Sequence, residues 1–161
     1  MKNIEKLYQK LSEIDNEEFY LIEGEFILEL YHCVPTEKRP LCVTALFTVS
    51  NWFAMSQRSG VWTFYEATAP KDIESTIQFL ELEGDAELAS KLRYGAHDYQ
   101  NSKYDGNWNY PEEWIEESEE IDQWITDHEN ELFMWEKMLL IDNKKTICSL
   151  MDAAEAEQNG Y

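Results

Sequence analysis

The stretch PEEWIEESEEIDQWITDHENELFMWEKMLL, residues 111–140, decides how this chain is read. Through Glu131 it holds ten carboxylates and no Lys or Arg, and over its full length three tryptophans, Trp114, Trp124 and Trp135, are spaced along it. Trp114, Ile121, Ile125, His128, Leu132 and Leu139 recur at intervals of three, four and seven, with Trp124 and Trp135 flanking them. That is the spacing of one helical face. Glu116, Glu119, Glu120, Asp127 and Glu131 fall mainly on the other side. The pattern predicts a long amphipathic helix whose apolar face is buried and whose acids are thereby aimed at solvent.

The rest of the chain supports folding. Of 161 residues, 43% are hydrophobic and 14% aromatic, more than a disordered acidic chain carries. Asp and Glu number 33 against 13 Lys and Arg, a formal charge of -20. Such a field repels nucleic acid and anionic membranes and draws in basic partners. No apolar run is long enough to span a bilayer, and the opening MKNIEKLYQKL lacks the continuous apolar region of a signal peptide. Cys33, Cys42 and Cys148 are odd in number, widely spaced and flanked by apolar residues. They read as buried thiols of a reducing, cytoplasmic location.

Upstream, helical spacing recurs. Ile4, Leu7, Tyr8, Leu11 and Ile14 form one set, and Phe19, Ile22, Phe26, Leu30 and Cys33 a second that Pro35 stops. Leu41, Ala45, Val49 and Phe53 line up along a nearly uncharged segment ending at Gly60. Its β-branched residues leave a strand over 42–49 as an alternative. Residues 61–67 are densely aromatic, and Trp62 and Phe64 are expected in the core along with Trp114, Ile121, Ile125 and Leu132. Ile73, Ile77 and Leu80 before Gly84, then Leu88, Ala89 and Leu92 before Gly95, predict a helical hairpin. Residues 96–111 are rich in turn formers. The expected architecture is mainly α: one compact multi-helix domain over residues 1–150, with an acidic amphipathic helical region toward its C-terminus. A flexible tail is expected over 151–161.

Catalytic signatures are weak. His32 and Cys33 are adjacent, so on a helix they point in different directions. His97, Asp98 and Asp105 sit in the polar loop without the spacing of a metal set, and His128 lies on the packed stripe. No phosphate loop, nucleophile elbow or calcium loop occurs, so no cofactor and no metal is expected.

Residues 58–95, RSGVWTFYEATAPKDIESTIQFLELEGDAELASKLRYG, resemble the core of the DMP19-like family. Gly60 matches its turn glycine, and Trp62, Phe64 and Tyr65 its aromatic helix. Ile77, Leu80 and Gly84 match the next helix, and Ala89 and Leu92 the third. Arg58-Ser59-Gly60-Val61 stands where the family has Asn-Asn-Gly-Gly, and Glu66 stands near its usual asparagine. The resemblance implies a helical fold and a homodimer. It also implies a noncatalytic DNA mimic that sequesters a transcriptional regulator or another basic DNA-binding protein.

Ten acids over about 30 Å of helix give roughly one charge per 3 Å, about half the linear density of duplex DNA. The expected partner-binding set is Glu112, Glu113, Glu116, Glu117, Glu119, Glu120, Asp127 and Glu131. Three readings compete with mimicry. One is an immunity or antitoxin-like protein covering a basic toxin or nuclease. Another is a small enzyme using the loop around His97. The plainest is a helix that is merely well solvated.

Overall fold

The computed structural model describes residues 3–159, which form nine α-helices and no strand. In chain order these are α1 (Asn3–Glu13), α2 (Tyr20–Cys33), α3 (Leu41–Ser59), α4 (Trp62–Ala67), α5 (Pro70–Glu83), α6 (Ala86–Tyr94), α7 (Glu112–Asp127), α8 (Glu129–Asp142) and α9 (Lys144–Asn159). The chain divides into two compact units. One comprises the residues up to Val43 with those from Glu129 on, and the other is Thr44–His128. The divisions fall in the first turn of α3 and at the junction of α7 with α8.

In the first unit, α1 packs on α2, and both pack on α9. Ile4, Leu7 and Leu11 of α1 and Ile22, Phe26 and Leu30 of α2 are buried, as their spacing requires. Tyr8 meets the edge of Phe26 with ring centroids 5.1 Å apart, and its hydroxyl donates to the Leu140 carbonyl at 2.9 Å. Burial, with smaller contributions from Cys148 and Cys42, raises the pKa of that phenol far above its ordinary value. Lys137 donates from Nζ to the Ile14 carbonyl at 2.8 Å, just past the end of α1. The segment read as a tail is helical to Asn159 among the described residues, and Met151 is buried.

In the second unit, α3 takes the helical alternative over 42–49. Ala45, Leu46, Val49 and Trp52 are all fully buried, a three-to-four-residue recurrence that no alternating strand would satisfy. Leu41, counted on the same line, is 54% exposed because it opens the first turn. The helices α5 and α6 form the expected hairpin. Gly84 turns the chain with φ +89°, and the following amide, of Asp85, bonds back to the Leu80 carbonyl at 2.8 Å. This is a glycine-dependent left-handed helix end. The indole of Trp52 donates to the Tyr65 hydroxyl at 3.1 Å, and that hydroxyl donates to the Leu92 carbonyl at 2.8 Å, so three elements share one buried polar chain.

Candidate functional site

The inner side of α7 is an anchor. Ser118, Ile121 and Ile125 are buried. The short helix α4 has no side-chain cap of its own. Its first amides go to α7 instead: Val61 N–H donates to Asp122 Oδ1 at 2.9 Å and Trp62 N–H to Ser118 Oγ at 3.0 Å. Ser56 Oγ also donates to Asp122 Oδ1, at 2.6 Å. Burial raises the Asp122 carboxyl above its ordinary range, and the bonds from Ser56 and Val61 oppose that rise. Phe64, Ile121 and Ile125 are core, whereas Trp62 and Trp114 are only part-buried. Leu132 is also buried, on α8.

The outer side carries the charge. Glu112, Glu113, Glu116, Glu119, Glu120 and Asp127 are all exposed. At 100° per residue they fall within an arc of about 120°, centred opposite the buried face. Among the described residues none of the six forms an ion pair. Glu112 and Glu113 stand in the first turn, where the helix dipole favours them. The Tyr94 hydroxyl donates to Glu120 at 3.2 Å. Desolvation, that bond and the charges of Glu120, Glu117 and Glu113 together raise the Tyr94 phenol.

Two expected members of the face lie elsewhere. Glu117 turns inward, its side chain 14% exposed, and meets His97 Nε2. Glu131 is exposed but lies on α8, in the other unit. The single long helix read over residues 111–140 is two helices, broken at His128, whose φ and ψ are -118° and 23°. The local residues explain the break. Ile125, Thr126, Asp127, His128 and Asn130 all come from the weaker half of the helix-propensity order, and the surrounding acids have no bases among them. His128 stacks on Trp124 with centroids 4.3 Å apart, and its Nδ1 lies 2.8 Å from the Trp124 carbonyl.

The loop between α6 and α7 is tied to other elements at His97, Tyr99, Gln100, Trp108 and Tyr110. His97 lies flat on Trp114, centroids 4.7 Å apart and planes 5° from parallel, while its Nε2 meets Glu117. An imidazole oriented by a carboxylate is a possible general base. The expected trio does not assemble, however. His97 and Asp98 line a cavity of about 520 Å3 beside α5, and Asp105 lines a separate cavity of about 600 Å3. His32 is exposed against Tyr31, and Cys33 is part-buried next to it. Among the described residues no three His, Cys, Asp or Glu side chains gather as a metal set, and no helix is long and apolar enough to cross a membrane.

Sequence reasoning missed Asp122 and Ser118 as ligands of the α4 amides. The available signal was a six-residue helix with no capping side chain of its own. It also missed the tie of Glu66 to the loop aromatics, since nothing local links residue 66 to residues 108 and 110. No protein-family model, curated protein or solved structure matches the chain. The absence of matches neither supports nor opposes the resemblance of residues 58–95 to the DMP19-like family.

Proposed function

We propose that the chain is a noncatalytic acidic inhibitor whose α7 face binds a basic protein, with a DNA-binding protein as the occupant that the charge pattern fits best. One observation carries this reading: six exposed carboxylates share one side of a helix whose other side is bonded and packed into its unit. Six charges over about 24 Å of helix give one per about 4 Å, less than half the density of duplex DNA, so the partner's remaining cations need ligands beyond α7. A second copy of the chain would supply them. Exposed Tyr20, Leu21, Leu28 and Tyr31 share a stripe about 100° wide on α2, and this is the surface we assign to a homodimer. Phe64 and Tyr65 are buried in the core and contribute nothing to such a surface. Light scattering on wild type and Leu28→Glu tests the dimer; a monomeric mass for wild type rejects it.

The triple variant Glu116→Gln, Glu119→Gln, Glu120→Gln keeps the shape and removes three charges. Capture from a bacterial lysate at low salt should return a basic DNA-binding protein with wild type and little of it with the variant. Its association rate with the variant should fall about tenfold, since such charges mainly steer encounter. Duplex DNA should compete for the captured protein. A partner that binds the variant equally well removes α7 from recognition. A partner that DNA cannot displace removes mimicry and leaves the immunity reading, in which the target is a toxin.

A further inference from the structure

The cavity of about 600 Å3 between the end of α4 and the loop before α7 has an unusual lining for so acidic a protein. Tyr99, Tyr104, Trp108 and Tyr110 contribute to it together with Glu66 and Asp105, and no Lys, Arg or His does. Glu66 Oε1 accepts from the Trp108 indole at 2.9 Å and from the Tyr110 hydroxyl at 3.1 Å. One oxygen thus fixes two rings, and Oε2 accepts no hydrogen bond among the described residues. The Tyr110 phenol stays protonated for that bond over a wide range: desolvation first, then Glu66, Asp105 and Tyr104, push it up to about 12.

Trp108 adds an independent observation. It is the one non-glycine residue with positive φ among those described, at 48°. A bulky side chain rarely adopts that backbone, and here the strain gains no burial, because Trp108 is 61% exposed. What holds it is its amide on the Tyr104 carbonyl at 3.2 Å and its indole on Glu66. The strained backbone therefore keeps an exposed indole against a carboxylate at the mouth of a cavity.

We infer that this cavity binds an organic cation with a quaternary ammonium or guanidinium head, held by the faces of Trp108 and Tyr110 and by the carboxylate of Glu66. The ring quadrupole attracts soft cations, and the carboxylate adds charge. The size suits a small ligand. Anions are repelled by Glu66 and Asp105, and a hard metal ion would find too few oxygens. Lys103 already places its Nζ 4.8 Å from the centroid of Tyr104, so the loop supports the same contact internally. This site shares no residue with the exposed face of α7, so either can fail alone.

The test is a titration followed by the Trp108 indole N–H signal in two-dimensional NMR, assigned by its loss in Trp108→Phe. Choline and free arginine should shift that signal at millimolar concentration. The neutral carbon analogue of choline, 3,3-dimethylbutan-1-ol, should bind at least about fivefold more weakly. Glu66→Gln should weaken choline by a similar factor. A peptide bearing a single Arg that binds more tightly than free arginine identifies a protein side chain as the source; equal or weaker binding identifies a free small molecule. An indole signal that no cation moves, a neutral analogue that binds as well as choline, or an unchanged affinity in a folded Glu66→Gln overturns the inference. If that variant fails to fold, the wild-type comparison of choline with its neutral analogue decides.

Discussion

Glu136 is 2% exposed, and among the described residues its Oε2 has no hydrogen-bond partner. Burial first, then the charge and side chain of Glu23, raise its carboxyl well above the ordinary value of 4.5. The folded state therefore holds a proton that the unfolded state releases. That contribution to stability is complete below about pH 4.5 and is lost as pH rises toward the folded-state value. Glu136→Gln keeps the shape and has no proton to lose. Its advantage over wild type should widen as pH rises above about 4.5, by up to about 1.4 kcal/mol per pH unit. Urea unfolding at a series of pH values checks this, and a difference that does not change with pH refutes it. The spacing carried a sign of this residue, because Glu136 stands four residues after Leu132 and three before Leu139, on the apolar stripe itself.

Helices α6 and α7 meet at Gly95. Its φ is -88°, so the glycine is not there for backbone freedom. An added Cβ would lie 2.6 Å from Tyr65 Cε2 and 2.7 Å from Ile121 Cδ1, atoms of the packed core. Gly95→Ala should destabilise by about 1–3 kcal/mol, the usual result of overpacking, seen as a lower urea midpoint with unchanged slope. Gly84 is the contrast. Its φ is +89°, and the space around it is open. Gly84 was legible as a helix end because its reason is local, whereas the reason for Gly95 is a partner 26 residues away, Ile121. The same distinction runs through α7. The spacing of Ile121 and Ile125 predicted which side is buried. The break at His128 stayed hidden, because a one-residue turn leaves Ile125, His128 and Leu132 at helical intervals. Glu117 lies at the edge of the charged arc, and only His97, from a distant loop, turns it inward.

Over the whole molecule, the formal charge of -20 makes ionic strength a stability variable. The Lys and Arg ion pairs found among the described residues, Lys10–Glu25, Lys38–Glu157 and Arg93–Glu81, are exposed, and such pairs contribute little. Repulsion among the acids acts against the compact state, and salt shortens its range from about 30 Å at 0.01 M to about 10 Å at 0.1 M. The Tm at neutral pH should therefore rise by a few degrees between about 0.01 M and about 0.3 M NaCl. Circular dichroism melts check the sign, and a falling Tm means that ion pairing outweighs repulsion. Composition alone made this legible, whereas the helical class was legible in the three- and four-residue spacing of the apolar positions. The lining of the aromatic cavity was not legible, because it joins Glu66 to a loop about forty residues later.

Glu112, Glu113, Glu116 and Glu119 of α7 are exposed and enter no hydrogen bond or ion pair within the described chain, while Ser118, Ile121, Asp122 and Ile125 secure the helix from behind. Apart from the helix-dipole contribution of Glu112 and Glu113, mutations at the first four meet little folding constraint. On the binding role proposed for α7, a lineage could redraw the spacing of these charges one codon at a time and follow a target whose own surface is drifting, with the scaffold left intact at every intermediate.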